Sequence, residues 1–242
     1  SAISAADGSY AINFHKPGIY EVREVMTPGW VQTQPAVGSV VSIEIFAGVP
    51  TVNVNFGNQA QNDYGDAPAP YPTLAADAGA VHGVLSGFSL GVNVDFELDG
   101  IPTIDADGDD NTTSDDEDGI VFNNGLPLVK GLTADIEVTV TNGSNSPGVV
   151  QGWIDFNADG DWNDAGEQVM IDQRIPEGTS TITINVPEEA AVGLTYARFR
   201  YGYEHGIGPA GAALAGEVEA SQVLTLDDNP VAVDDFFSCP QS

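Results

Sequence analysis

Positive charge is what this 242-residue chain has least of: six lysines and arginines stand against 36 aspartates and glutamates, a formal net charge of −30. A field of that sign repels nucleic acid and anionic membrane and attracts cations, so nucleic-acid partners are excluded. Cysteine is almost absent as well. Cys239 stands alone, so neither a disulfide framework nor a cysteine-based zinc site can form within one chain. Its role stays open between a free thiol and an intermolecular bridge. His15, His82 and His205 are far apart in sequence and no CxxCH is present, which argues against zinc and haem. No uncharged apolar run reaches the roughly 18 residues that span a bilayer, because Ala78 to Val94 is interrupted by Gly83, Ser86, Gly87, Ser89 and Gly91. The chain is therefore expected to be soluble, without membrane insertion.

Helical periodicity is the last thing missing. Short stretches of alternating apolar residues recur instead, separated by Gly, Pro, Asn or Asp, which is the pattern of an all-β chain. Strands are predicted at 9–14, 18–25, 40–46, 51–56, 136–140, 149–156, 181–186, 194–203 and 218–226, with a turn or two of helix at 74–84 and 209–214. The 42% hydrophobic content suffices for one large or two modest cores.

The abundant acids are not spread evenly. Asp105 to Gly119 reads DADGDDNTTSDDEDG, eight acids in fifteen residues. Carboxylates this dense either stay solvated as a spacer or fold around a hard cation that takes oxygen ligands. Ile101, Ile104, Ile120, Val121 and Phe122 flank the stretch as apolar anchors and favour the cation.

A second loop sharpens this reading. Asp155 to Glu167, DFNADGDWNDAGE, has oxygen ligands at loop positions 1, 3 and 5, a glycine at 6 and a further ligand at 7, matching the first half of a calcium loop. Asp155, Asn157, Asp159 and Asp161, the last by its carbonyl or carboxylate, are the candidate ligands, with Glu167 or Asp164 as closer. Position 12 is Gly166, and no helix flanks the loop, so a calcium turn between strands is expected rather than an EF-hand. In the first stretch the candidates are Asp105, Asp107, Asp109, Asp110, Asp115, Asp116, Glu117 and Asp118, joined by Asp95, Glu97 and Asp66 from neighbouring segments. Several Ca2+ ions are thus predicted. Glu217 and Glu219 alternate onto one strand face, where metal binding and salt bridges to Arg198 and Arg200 are equal alternatives.

Two resemblances organise the chain. DGSY at Asp7 to Tyr10, PGIYEVREV at Pro17 to Val25, PGW at Pro28 to Trp30 and FGNQ at Phe56 to Gln59 resemble the serine-aspartate-repeat B-type module of bacterial surface proteins. That resemblance implies a prealbumin-like β-sandwich over 1–59, N-terminally incomplete, whose exposed edge would accept a strand from a neighbour. It also implies an acid and an Asn of a crosslink at Glu24 and Asn55, with the lysine missing, so no crosslink is predicted. NDYGDAP at Asn62 to Pro68, LGVNVDFELDG at Leu90 to Gly100, WIDFNADGDWNDAGEQV at Trp153 to Val169, ARFRY at Ala197 to Tyr201 and GEVE at Gly216 to Glu219 resemble the GEVED domain of large secreted and surface bacterial proteins. Ala220 and Ser221 stand where that family has an acid and an aromatic. The predicted organisation is a partial B-type module over 1–59, a GEVED-like calcium-binding β-sandwich over 60–227, and a linker or donor strand over 228–242.

Catalysis is not expected. Gly87 to Gly91 fits G-x-S-x-G with His205 downstream, yet that motif needs a strand-to-helix elbow in an α/β sheet. Paired carboxylates for glycoside hydrolysis are here clustered with metal spacing instead. Trp30, Trp153 and Trp162 read as core residues before a sugar platform. The sequence therefore predicts a non-catalytic, extracellular or cell-surface structural module of a bacterium. It would form part of a stalk, matrix or filament and self-associate through the incomplete first module and the 230–239 tail. The alternative is an adhesin or carbohydrate-binding module with a matrix or glycan ligand.

Overall fold

The computed structural model describes residues 1–27, 29–49, 53–94, 96–108, 117–144 and 146–228. The chain is all-β and divides into two compact units, Ser1–Ala60 and Gln61–Ser242. No helix among the described residues is long and apolar enough to cross a membrane.

The first unit holds two antiparallel pairs, β1 (Gly18–Val22) with β3 (Val41–Ile45), and β2 (Trp30–Gln34) with β4 (Gly57–Ala60). Its buried apolar residues are few, Val22 and Ile43 among them. The predicted strand at 9–14 enters no ladder, and of the predicted 51–56 the described residues 53–56 enter none either. The ladder that does form follows immediately, at the FGNQ motif. Glu24 accepts a 2.7 Å hydrogen bond from the Asn58 side chain.

The second unit is built from β5 (Asn62–Tyr64), β6 (Val81–Gly83), β7 (Phe88–Leu90), β8 (Ile120–Phe122), β9 (Leu128–Val129), β10 (Thr133–Asn142), β11 (Val149–Ile154), β12 (Gln168–Arg174), β13 (Gly178–Asn185), β14 (Gly193–Gly202), β15 (Ala212–Ala213) and β16 (Gly216–Leu226). One sheet runs β13-β10-β7 with β8 also on β10, and a five-stranded sheet runs β12-β11-β14-β16-β9. The strict alternation of Ala134, Ile136, Val138 and Val140 along β10 turns one face inward against Phe199, Tyr201, Val150 and Ile154 of the larger sheet, giving the main core. A third sheet, β15-β6-β5, completes the unit. The helical turns predicted at 74–84 and 209–214 reduce to a single 3₁₀ turn, Ala75–Asp77; Ala212–Ala213 instead pairs in parallel with β6.

β11 is buried along its whole length, which means its outer face is also covered. Ala67, Tyr71, Ala106, Trp153, Trp162 and Ala220 form a second apolar cluster there, so Trp153 and Trp162 are core residues while Trp30 is half exposed. The two arginines of ARFRY lie on this outer face of β14, in register with Val218 and Ala220. Both are fully buried. Arg198 donates to the carbonyls of Pro72 and Pro209 and to Thr73 Oγ1, with its guanidinium 4.5 Å from the Trp162 ring centre. Arg200 donates to the carbonyls of Gly208, Ala210 and Gly211 and to His82 Nε2. Burial and the neighbouring Arg200 charge push Arg198 down to about 9, and burial pushes Arg200 down to about 10, so both stay cationic at neutral pH and staple the irregular segments onto the sheet.

Candidate metal centre

The loop from Asp155 to Glu167 joins the hairpin strands β11 and β12. Short polar side chains wind it by bonding backbone amides two or three residues on. Asp155 Oδ1 accepts from Ala158 N at 2.6 Å, Asn157 Oδ1 from Asp159 N at 2.9 Å, Asp159 Oδ1 from Asp161 N at 3.3 Å and Asp161 Oδ1 from Asn163 N at 2.7 Å. Gly160, at φ +96°, has no room for a side chain: a Cβ would meet Pro70 Cγ at 2.4 Å. Trp162 pins the loop, donating to the Tyr196 carbonyl at 3.1 Å and stacking on Tyr71 with ring centres 4.3 Å apart.

This winding brings carboxylate oxygens of Asp159, Asp161 and Asp164 within 4.8 Å of one another, an arrangement that could hold a metal ion. Asn157 stands beside them, its Nδ2 donating to Asp164 Oδ2 at 2.6 Å and Asp159 Oδ2 at 3.2 Å. Asp155 is placed apart. It is fully buried, and its Oδ2 accepts from Tyr71 OH at 2.5 Å and Gly160 N at 3.0 Å. It anchors the loop to the 66–73 segment, a role that sequence spacing does not reveal because Tyr71 is 84 positions away. Burial, with that bond to Asp155 added, pushes the Tyr71 hydroxyl pKa up.

Glu167 is buried at the loop's end. Its Oε2 accepts from Asp164 N at 3.2 Å, and the Asn157 backbone amide also faces the carboxylate. Burial raises its pKa to about 7, with the Asp155 and Asp164 charges adding to the effect. The carboxylate oxygens of Asp159, Asp161 and Asp164 form an oxygen donor set that fits a hard, oxygen-seeking metal ion.

The second acidic region is organised differently. Asp95, Asp109, Asp110, Asp115 and Asp116 lie outside the described residues. Of the rest, Asp66 is fully buried and accepts from Gly108 N at 2.8 Å, and Glu97 accepts from Tyr64 N at 3.2 Å. Asp107 accepts from Thr103 Oγ1 at 2.8 Å, and exposed Asp105 lies 3.4 Å from the Gln222 amide nitrogen. Asp118 accepts from Val92 N at 2.8 Å; Glu117 is half-buried next to it. Glu217 and Glu219 are in register with Tyr201 and Phe199, so they point to the opposite face of β16 from the arginines. There Glu219 accepts from Gly119 N at 2.8 Å and Glu217 from Leu90 N. The face alternation itself was readable from sequence, but which residues it opposed depended on the β14–β16 register.

The serine of G-x-S-x-G is buried in β7 opposite Thr141, and His205 Nδ1 lies 3.3 Å from Asp172 Oδ2.

An all-β unit with an acid-lined hairpin loop is thus the class of domain the geometry defines. Within it, residues 149–220 match the family model for the GEVED domain, covering β11, the loop, β12, β13, β14 and the start of β16. The resemblance of 1–59 to the B-type module has no such match. No curated protein and no solved structure matches the chain.

Proposed function

We propose that this chain is a non-catalytic structural module of a bacterial extracellular or cell-surface protein, rigidified by calcium. The observation that carries the reading is the loop between β11 and β12, where Asp159, Asp161 and Asp164 converge within the stretch that matches the GEVED domain. A calcium ion held there neutralises charges that otherwise repel, and it ties the two strand ends together. Trp162 and Asp155 already fasten the loop to the sheet, and the ion takes the place of the Asn157 side-chain amide nitrogen against Asp159 and Asp164.

In the assembled state the module belongs to a stalk, matrix or filament. Supporting this is a groove of about 510 Å³ in the first unit, between residues 8–14 and 53–55, with Val22 and Ile43 also lining it. Neither flanking segment is in a ladder, so both offer backbone groups to an added strand from a second copy. The 230–239 tail considered as donor lies outside the described residues. The adhesin alternative draws less support, because two of the three tryptophans are buried.

Electron microscopy of the purified protein with calcium and with excess chelator tests the reading. Ordered assemblies in calcium that disperse or lose definition in chelator are expected. A monodisperse monomer in calcium, unchanged by chelator, would contradict it.

A further inference from the structure

The five-stranded sheet is covered on its outer face over only part of its length. Around Arg198 and Arg200 the segments holding Pro72, Thr73, Gly208 and Gly211 lie on it. That layer reaches as far as Ile104, whose carbonyl accepts from Tyr196 OH and from Gln222 Nε2, each at 2.6 Å. Past this point no described residue covers the face. Leu194 and Leu224 are paired across β14 and β16 on the same face as the arginines, and Val192 and Leu226 follow two residues further along each strand. Leu194 is 61% and Val192 56% exposed, and Leu224 and Leu226 are exposed too, whereas Thr195, Val223 and Thr225 on the opposite face are buried. Four neighbouring aliphatic side chains on one sheet face form a patch that calls for a further layer.

The chain itself continues from inside this patch. β16 ends at Leu226, and that end is held: Lys130 N donates to the Leu226 carbonyl at 3.1 Å, and Lys130 Nζ lies 3.4 Å from Asp227 Oδ2. Asp227, Asp228, Asn229 and Pro230 are turn-forming residues, and Val231, Val233, Phe236 and Phe237 come next. The residues of this unit outside those described are 95, 109–116, 145 and 229–242, and only the last stretch carries aliphatic or aromatic side chains larger than that of threonine. Its length suffices. From Leu226 back to Gln222 is about 13 Å at roughly 3.3 Å per residue, and Val231 to Phe237 spans about 20 Å when extended.

We propose that residues 231–237 turn back after Asp228 and cover the patch of their own chain, with Val231, Val233 and the two phenylalanines set against Val192, Leu194, Leu224 and Leu226. Attachment only a few residues away gives this segment an effective concentration that a second copy or a separate partner lacks. The segment considered as a donor strand for a second copy is thereby assigned to its own unit. None of the acids of the 155–167 loop takes part, so this cover is independent of calcium there.

Photocrosslinking of the full chain tests it, with benzoylphenylalanine placed at Phe236 and the products separated by mass and mapped by peptide. Expected is a product of single-chain mass, joined to peptides spanning 191–196 or 222–227. Its yield should fall several-fold in Leu194→Gln/Leu224→Gln, and also in Val233→Asp, which leaves the sheet untouched and so reports docking rather than misfolding. A product of two-chain mass would overturn the proposal and give the patch, or the groove of the first unit, to a second copy. Crosslinks scattered over the unit, with a yield that neither variant changes, would overturn it as well.

Discussion

The second unit uses carboxylates in two contrasting ways. Asp66, Asp155, Glu217 and Glu219 are almost wholly buried; Asp66, Glu217 and Glu219 each accept a backbone amide from a segment distant in sequence, and Asp155 accepts two amides of its own loop and the Tyr71 hydroxyl from another segment. Asp159, Asp161 and Asp164 lie at the surface with their oxygens turned toward one another. The first set fastens irregular chain to the sheets, replacing the ladder partners that loops lack. The second set holds itself together only at a cost in repulsion, which a cation removes. The same residue types thus act as buried fasteners in one place and stand as an exposed, mutually repelling group in another, and burial with amide donors decides which.

Breaking a fastener has the largest predicted effect. Asp155→Ala strips acceptors from Ala158 N, Gly160 N and Tyr71 OH together, so it should lose about 3 kcal/mol or more in urea unfolding, with calcium or without. Replacing Asp159, Asp161 and Asp164 by Asn together should act only in the presence of calcium. At a calcium level 100 times the dissociation constant, the lost increment is about 2.7 kcal/mol for the ion held there, while in chelator the variant should unfold at the wild-type urea concentration or higher.

A pH experiment separates the buried interior from the loop. His82 is fully buried, with Nε2 accepting from Arg200 and Asp63 opposite it on β5; burial first, then the Arg200 charge, pushes its pKa down to about 3. Its folded pKa lies below the unfolded value, so the unfolded chain binds more protons between these values. The neutral ring's contribution is complete above about pH 6.5 and is lost as pH falls toward 3, costing about 2 kcal/mol by pH 5. His82→Gln should flatten that slope in calcium-free unfolding curves. Tyr71→Phe gives the smallest effect, about 1 kcal/mol, since it removes one of the three bonds that Asp155 accepts and keeps the stacking on Trp162.

How much of this was legible in the sequence depends on how local the cause is. The alternation along β10 and the long runs at β14 and β16 are local, and each shows as a strand. β12 escaped notice because its polar residues, Gln168, Asp172 and Gln173, obscure the period. The 9–14 segment alternates correctly yet forms no ladder, since alternation specifies a face and not a partner. In the loop, the spacing of Asp159, Asp161 and Asp164 was visible because the cause is local: Asp159 and Asp161 each bond an amide two residues on, and Asp164 is reached by Asn157 of the same loop. The burial of Asp155 under Tyr71 was not, since it depends on a segment distant in sequence. The salt bridges considered between Glu217, Glu219 and Arg198, Arg200 failed on register: each glutamate is paired with an aromatic of β14, one residue out of phase with the arginines.

The account stands on calcium stabilising the second unit, and thermal unfolding of the wild-type protein in millimolar calcium and in excess chelator tests it most directly. A melting transition several degrees lower in chelator, restored when calcium is returned in excess, is predicted. An identical transition in the two conditions would contradict it.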